Sequence, residues 1–298
     1  MADSSIFSHN LRAKIIMLKG ATGSKGADGG TFNDPGHYVS SIAVKYVDCQ
    51  NGDDSAAGTS AAPLKTLDAA LNLLNTNSTA LSIHLKTAGT YTIEKTHINA
   101  AWLRIIGDDE NIVVAFSGNY PEIYNSYLSL ENVQVTTLVA GAAWSSFNSV
   151  VRITNGTYAA CRIISYGGSL WVQNSTINQI YLQFSNLVLN NITVDGRGKT
   201  TGAIRLSGCN GGISGTLTLE DLAEATTAAL FYLADSELAF DLSVVNHLES
   251  NFYARAFQTY RSTIFVSNAT STELRSAANN NDAKTMTITV EGSSVLGG

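Results

Sequence analysis

The sequence contains little charge and very little proline. Charged residues make up 14% of the 298 residues, well below the quarter that is usual for soluble proteins. The prolines are Pro35, Pro63 and Pro121, so none lies beyond position 121. Proline removes a ladder hydrogen bond from a central strand. Its absence, together with many Ser, Thr, Asn and Gly residues, favours a chain built from strands and turns over most of its length.

The sequence also lacks the motifs of several common functional sites. Its three cysteines, Cys49, Cys161 and Cys209, form no Cys-x-x-Cys pair, which excludes a recognisable disulfide framework or zinc site. The five histidines are scattered without the spacing of metal ligands. No nucleophile elbow, phosphate-binding loop or dinucleotide fingerprint is present. We therefore expect neither a metal nor a cofactor.

Charge and hydropathy limit the partners. The formal net charge is −6, whereas a duplex nucleic-acid partner calls for a basic surface. No apolar run is long enough to cross a membrane, and the N-terminus has no pattern of a secretion signal. We expect no nucleic-acid binding and no membrane insertion. A carbohydrate partner stays compatible with this composition.

A loose repeat occupies the second half of the chain. Several segments have the pattern apolar-x-apolar-x-Asn, at intervals of about twenty residues. Their asparagines are Asn132, Asn155, Asn174, Asn191 and Asn268. Alternating apolar residues stack inward in such coils, and asparagine tolerates the left-handed conformation of a corner. We expect its amide to face inward and to bond the main chain and the asparagine of the next coil.

The repeat predicts an all-β fold, a single-stranded right-handed parallel β-helix over residues 43–298. A β-sandwich is the alternative, but the sequence offers few two-residue hairpin turns. Leu67, Leu71 and Leu74 have helical spacing, and Lys65 or Thr66 could cap a helix there. This predicts a short capping helix at the start of the β-helix.

The N-terminal region has a different character. Gly20, Gly23, Gly26 and Gly29 follow a strict period of three, as a collagen-like triple helix requires. A flexible glycine linker is the alternative. We predict an extended N-terminal arm at residues 1–30 and a linker at 31–42.

Two segments resemble proteins of phage tails. The segment Tyr46–Ala70, with its motifs YV, GDD, GT and PLKTL, resembles the opening of pectate-lyase-like β-helices in tail spikes and tail fibres. The segment Ile15–Gly30 is similar to the start of many tail or baseplate proteins. The resemblance implies a homotrimer that is held by its N-terminal arm to other proteins of the tail, baseplate or head. It also implies assembly in the host cytoplasm, location in the virion, and a host cell-surface polysaccharide as partner.

Evidence for catalysis is weak in the sequence. Glycoside hydrolysis needs two carboxylates about 5–9.5 Å apart, and lyase chemistry needs a base and a cation. The acidic stretch at 108–110 is interpreted as a solvated loop. Asp195 and Arg197, in the segment VDGRGK, are weak catalytic candidates because the same residues can form an ordinary tight turn. Whether the protein is an enzyme stays open, with the balance toward a binding role.

Aromatic residues are the candidates for glycan binding. Trp171 lies between the apolar Leu170 and Val172, so strand alternation directs it outward. Tyr166 and Tyr181 are further candidates that could offer exposed ring faces. The leading hypothesis is a trimeric, non-enzymatic phage appendage that attaches to the host surface. The alternatives are a polysaccharide depolymerase and a structural fibre of the head or tail without a receptor.

Overall fold

The structure, a computed structural model, describes residues 42–74, 80–94, 97–117, 122–138, 143–195, 203–220, 229–247, 255–267, 286–290 and 294–297. The chain divides into two units, Met1–Ser40 and Ser41–Gly298. All described residues belong to the second unit. The predicted arm with its glycine tract therefore lies outside the described residues.

The described part contains one helix and nineteen strands. In chain order these are β1 (Ala43–Val47), α1 (Leu67–Leu71), β2 (Ala80–Leu85), β3 (Gly89–Ile93), β4 (His97–Asn99), β5 (Trp102–Gly107), β6 (Ile112–Phe116), β7 (Glu122–Tyr124), β8 (Tyr127–Glu131), β9 (Gln134–Thr137), β10 (Ala143–Thr154), β11 (Thr157–Asp195), β12 (Ile204–Ser207), β13 (Asn210–Glu220), β14 (Ala229–Ala234), β15 (Glu237–His247), β16 (Arg255–Tyr260), β17 (Ser262–Ser267), β18 (Met286–Val290) and β19 (Ser294–Gly297).

The strands wind as a parallel β-helix, which confirms the predicted fold. One coil passes in turn through three faces, here called A, B and C, which β7, β8 and β9 represent. Up to β18, each strand pairs in parallel with the strand of the same face in the neighbouring coil, as β5 does with β8 and β6 with β9. The longer strands β10, β11, β13 and β15 bend through the corners, so all nineteen strands share hydrogen bonds in one continuous sheet.

Face B shows how the core is built. Leu81, Leu103, Leu128, Val151 and Leu170 are directly paired from coil to coil. All five are at most 2% exposed. Each stacks on the same position of the next coil because the inward side chains repeat with the strand spacing of about 4.8 Å. Burial of each branched aliphatic side chain in such a column contributes about 1.5–3 kcal/mol of transfer free energy.

Helix α1 forms where the leucine spacing predicted it. Thr66 is its N-cap, and its side chain accepts a hydrogen bond from the main chain of Ala69. Leu67 and Leu71 are buried, and the buried Leu74 follows the helix. The short helix thus covers the open end of the core with one apolar side, as the sequence predicted.

The motifs of the phage-like opening have structural roles. The carboxylate of Asp54 accepts hydrogen bonds from the main-chain amides of Lys65 and Thr66 and from the Thr66 hydroxyl. Gly52 lies so close to Leu64 that a Cβ on it would be 2.1 Å from the Leu64 carbonyl oxygen. Hydrogen bonds and close backbone packing therefore join residues 52–54 to residues 64–66, just before α1 begins.

The predicted asparagine corner lies between faces B and C. Asn132, Asn155, Asn174 and Asn191 all adopt left-handed conformations, with φ between 49° and 53°. The amides of Asn155, Asn174 and Asn191 each donate to the amide oxygen of the asparagine in the preceding coil, at 3.0–3.2 Å. The amides are exposed, so the expected inward orientation is wrong. A left-handed corner residue is directed outward here, and the following residue points to the core. Asn268 lies outside the described residues.

A second column occupies the corner between faces A and B. Its left-handed residues include Asn125, Asn148 and Asp235. The residue that follows is usually a buried serine, whose hydroxyl donates to the carbonyl two residues earlier. The members of this serine column are Ser126, Ser149, Ser185, Ser236 and Ser262, with Cys209 in an equivalent position. Their hydroxyls also accept main-chain N–H groups of the preceding coil, which satisfies buried donors at the corner.

The C-terminal strands depart from the parallel pattern. β18 pairs in parallel with β17, whereas β18 and β19 form an antiparallel pair. Among the described residues, no helix has the length and apolar character needed to span a membrane.

Candidate functional site

An aromatic and arginine-rich column runs along the outside of face A. Residues that are in contact within it come from neighbouring coils, so their side chains meet across the strands rather than along the sequence. Its members are His97, Tyr124, Phe147, Arg162, Tyr166, Tyr181, Arg205, Tyr232 and Tyr260. This set is called the aromatic column below. It contains two of the three predicted binding residues, Tyr166 and Tyr181.

The first half of the column is a stack of rings. Tyr124 and Phe147 have ring centroids 4.7 Å apart, with planes inclined by 12°. Phe147 and Tyr166 follow at 5.1 Å and 13°. His97 extends the stack beyond Tyr124, at 6.4 Å and 6°. The direct pairing of Phe147 with Tyr166 in the strand register imposes this stacking.

The second half alternates rings with guanidinium groups. Tyr181, Arg205 and Tyr232 are directly paired on three successive coils. The Arg205 Cζ lies 5.1 Å from the ring centroid of Tyr181 and 4.9 Å from that of Tyr232. Arg162 lies 5.0 Å from the same Tyr181 ring, and Tyr232 is in contact with Tyr260 at 5.6 Å. Such contacts hold a guanidinium without neutralising its charge.

The column offers ring edges and polar tips to a ligand. Because Tyr124 and Tyr166 cover the two faces of Phe147, and guanidinium groups cover Tyr181, the expected open ring faces are largely occupied by neighbours. The polar groups of the column are tyrosine hydroxyls and guanidinium N–H groups, of which the Tyr124 hydroxyl donates to Glu122 and Arg162 donates to Gln179. Tyr166 is 37% exposed and Tyr260 47%. This surface is suited to hydrogen bonding with a ligand that carries many hydroxyl or acidic groups.

A carboxylate completes one end of the column. Glu122 accepts a hydrogen bond from the Tyr124 hydroxyl at 2.7 Å and contacts His97 Nε2 at 3.0 Å. The hydrogen bond to Glu122, followed by desolvation, raises the pKa of Tyr124 above its ordinary value. The phenol therefore stays protonated and available as a hydrogen-bonding group across the physiological range.

The third predicted binding residue lies on a different face. Trp171 is on face B and is 47% exposed, so strand alternation predicted its direction correctly. The Arg152 Cζ lies 5.8 Å from its ring centroid, and the two residues are directly paired. The structure thus places Tyr166 and Tyr181 on face A and Trp171 on face B.

Face B also carries an ion pair. Arg104 donates two hydrogen bonds to Glu131, at 2.9 and 2.6 Å. Burial tends to raise the pKa of Glu131, but the hydrogen bonds from Arg104 and Ser129 outweigh it and lower the pKa below its ordinary value. The charges of Arg104 and Glu131 are therefore satisfied within the protein.

Of the two weak catalytic candidates, Asp195 lies among the described residues. Asp195 is only 3% exposed, and its main-chain oxygen accepts a hydrogen bond from the side chain of Asn178. Arg197 lies outside the described residues. Among the residues described, no group of three or more His, Cys, Asp or Glu side chains is arranged to hold a metal ion.

An open cleft of about 340 Å³ lies beside the corner between faces B and C. Its lining includes the acidic stretch at 108–110 and the corner residues Asn132 and Asn155. Asp108 is also 3.2 Å from His84 Nδ1, and the His84 ring stacks on Tyr46 at 5.1 Å. The loop interpreted as merely solvated thus places carboxylates and an imidazole near a concave surface.

Sequence reasoning missed most of the aromatic column. Its arginines and Phe147, Tyr232 and Tyr260 were not among the candidates. One signal was present: Tyr124, Phe147 and Tyr166 each directly precede an Asn or Gly that occupies a left-handed corner. An alignment of the coils on these pairs, rather than on the later asparagines, would have placed the three rings in one column.

Comparisons with known proteins add little. No protein-family model and no curated protein matches this sequence. Two polysaccharide lyases are among the solved structures that resemble it. An alginate lyase of family PL6, AlyGC, has 12% identity and a TM-score of 0.49, over 90% of this chain and 42% of that one. A rhamnogalacturonan lyase has 12% identity and a TM-score of 0.26, over 75% of this chain and 68% of that one.

This chain therefore spans less than half the length of the alginate lyase. Likenesses at these scores carry no argument about substrate or reaction. The fold rests on the strand registers described above, and the function has to be argued from the surface of the chain itself.

Proposed function

We propose that this protein is a carbohydrate-binding β-helix, and that it serves as a trimeric attachment appendage of a phage virion. The observation that carries the proposal is the aromatic column on face A. It sets tyrosine hydroxyls and guanidinium groups in a fixed row along a rigid shaft. Its partner in this proposal is a polysaccharide of the host cell surface.

A rigid row of this kind matches a polysaccharide for two physical reasons. Tyrosine combines an apolar ring with a hydroxyl that both donates and accepts hydrogen bonds, as sugar hydroxyls do. The side chains are held by their neighbours before any ligand arrives, so little conformational entropy is lost on binding. The column also extends over successive coils, so a long polymer can contact several of its residues at once.

The binding surface is tested by comparing faces A and B. Affinity electrophoresis through gels that contain bacterial surface polysaccharides would measure retardation of the wild type. We expect Tyr166→Ala and Tyr181→Ala each to weaken retardation by about tenfold in apparent Kd, as for a contact at the centre of an interface. Trp171→Ala, on face B, serves as the matched aromatic control and should change little.

A reversed pattern, with loss only in Trp171→Ala, would place binding on face B instead. No retardation by any glycan would favour the receptor-free structural fibre. Circular dichroism and thermal unfolding of each variant distinguish a lost contact from a lost fold.

The trimer and its place in the virion rest on the sequence. The glycine period at 20–29 and the resemblance of Ile15–Gly30 to tail and baseplate proteins support them. The solution mass of the full chain, and of a chain without residues 1–30, tests this part by light scattering. Three chains for the former and fewer for the latter is the expected result. A monomer in both forms would contradict the trimeric appendage and make the tract a linker.

A polysaccharide depolymerase is the second candidate, and the cleft at 108–110 favours it. The pair Asp108 and His84 lies beside this cleft, and such groups can exchange protons with a substrate. Release of reducing ends, or ultraviolet absorbance of an unsaturated sugar product, would reveal the activity. Loss of that product in Asp108→Asn, with glycan retardation unchanged, would assign the reaction to the cleft. No product from any polysaccharide that binds would leave attachment as the function.

A further inference from the structure

Arg205 differs from Arg104 and Arg261 in its partners. Arg104 and Arg261 each form a two-point ion pair, with Glu131 and Asp235 respectively. Within the described ranges, no carboxylate forms an ion pair with Arg205. Its partners are instead the rings of Tyr181 and Tyr232, on either side. Its guanidinium is thus held between two rings, without a carboxylate partner among the residues that the structure describes.

The surroundings of Arg205 concentrate positive charge. The ring of Tyr181 contacts a second guanidinium, that of Arg162, at 5.0 Å, so one tyrosine is shared by two cations. Arg162 also donates to the side chain of Gln179 at 3.0 Å. The chain as a whole has a formal net charge of −6.

The rings fix how a ligand can approach. A guanidinium flanked by two aromatic rings retains its charge, and its donors form a planar fork that matches the two oxygens of a carboxylate. Lysine would present a point charge without this geometry. A neutral sugar has no group that would pair with the guanidinium charge, whereas the carboxylate of a uronic acid residue would.

We propose that Arg205 is the subsite for a sugar carboxylate, and that the preferred ligand of the aromatic column is an acidic polysaccharide. This inference rests on the proposed carbohydrate-binding function and names its substrate class. Tyr181 and Tyr232 position the guanidinium, and Arg162 reinforces the field from the neighbouring coil. The ion pair would form at a partly buried site, so this single contact is modest, and the other contacts of the polymer with the aromatic column add to it.

The test uses polygalacturonic acid, a carboxyl-reduced derivative of the same polymer, and the full-length protein. Isothermal calorimetry at two salt concentrations measures both affinities. We expect the acidic polymer to bind at least about fivefold more tightly than the reduced one, and this difference to shrink in high salt. Equal affinity for the two polymers in the wild type would overturn the inference, without any variant being needed.

Variants locate the effect. Arg205→Gln should lower affinity for the acidic polymer by about three- to tenfold and leave the reduced polymer unchanged. Arg205→Lys should recover part of the loss, since the charge returns without the fork. Arg152→Gln is the matched control, because Arg152 also contacts an aromatic ring but lies on face B. An equal loss in Arg152→Gln and Arg205→Gln would overturn the assignment to Arg205.

The two proposals fail differently. If both polymers bind with equal affinity and Tyr181→Ala weakens both, carbohydrate binding by the column stands and only the acidic preference is overturned. If neither polymer binds and no other glycan does, the carbohydrate-binding function itself is overturned.

Discussion

The ring of Phe184 lies over Gly208, which occupies the same corner one coil further along the chain. A Cβ on Gly208 would be 2.7 Å from Phe184 Cδ1. Both residues are left-handed, with φ of 51° at Phe184 and 63° at Gly208. Phe184 is nevertheless 76% exposed. A large ring can occupy this corner because the residue beneath it has no side chain.

Replacing Gly208 with alanine is expected to destabilise the protein. The new Cβ would meet the Phe184 ring, and alanine in a left-handed conformation costs about 1–2 kcal/mol. We expect a loss of about 1–3 kcal/mol in the free energy of unfolding, measured in urea. Gly212→Ala is the matched control, because its Cβ would have only an ordinary contact, 3.8 Å from the Ala239 carbonyl oxygen. Equal losses in the two variants would contradict this account.

Removal of one hydroxyl from the serine column should also lower stability. Ser149 Oγ donates to the carbonyl oxygen of Phe147 at 2.8 Å and accepts the main-chain N–H of Ser126 at 3.1 Å. Ser149→Ala leaves that buried N–H without its acceptor, which costs about 1–3 kcal/mol. Thermal or urea unfolding measures the loss.

Cys209 supplies the control for the serine column. It is the one non-serine named in the column, and its main-chain N–H donates to Ser236 Oγ at 3.1 Å. Burial raises the pKa of its thiol, so it is present as the neutral, protonated group. Cys209→Ser should change the free energy of unfolding by less than about 1 kcal/mol, since a hydroxyl can donate to the Ser207 carbonyl oxygen as the thiol does. A larger loss than in Ser149→Ala would refute the equivalence of these positions.

The asparagine corner stabilises the fold in two ways, through its amide hydrogen bonds and through the ease with which asparagine adopts a left-handed conformation. Asn155 donates to Asn132 at 3.0 Å and accepts from Asn174 at 3.2 Å. Asn155→Ala removes both hydrogen bonds and adds left-handed strain, for an expected loss of about 2 kcal/mol. Asn155→Gly removes the same bonds without the strain and should lose less. If glycine and alanine prove equally destabilising, the conformational contribution is negligible.

Acid should weaken the start of the β-helix through Asp48. Desolvation raises the pKa of this buried carboxyl, but hydrogen bonds from Asn51, Thr87 and Gln50 together outweigh it and lower the pKa below the ordinary value. Since the folded pKa lies below the unfolded one, the stabilisation is complete above an unfolded pKa of about 3.9 and is lost as the pH falls through the folded pKa.

Asp48→Asn tests this pH dependence. The variant keeps an oxygen acceptor but does not titrate, so its free energy of unfolding should fall less than that of the wild type between pH 6 and about pH 3. Urea unfolding at both pH values gives the two differences. Parallel pH profiles for variant and wild type would show that Asp48 contributes nothing to acid sensitivity, leaving other carboxylates with lowered pKa values, such as Asp54.

The local features of the fold were predictable because they depend on residues close in sequence. The leucine spacing located α1, and the preference of asparagine for left-handed backbone located one corner column. The orientation of Asn132 and Asn155 was not predictable in the same way. Their amides bond across coils on the outside, and only the stacked structure shows which side of the strand becomes the outside.

The candidate site depends on contacts between residues far apart in sequence. Tyr181 and Arg205 are paired because the coil between them returns the chain to the same register. Alternation along a strand identifies Trp171 as outward but does not reveal which outward residues of other coils lie beside it. The arginines were missed for this reason, since a single arginine in a strand has no distinctive local pattern.

The asparagine corner explains why the repeat is irregular in length. Successive asparagines are 23 residues apart from Asn132 to Asn155, but 17 from Asn174 to Asn191. Face B keeps its register through these coils, and each asparagine corner uses a single left-handed residue. The difference in length therefore falls where face C leads into the next face A. If one foreign peptide were inserted at that edge in each of several coils, for example between β9 and β10 in the first, the peptides would be displayed at a regular spacing along the shaft. Neither corner would be disturbed.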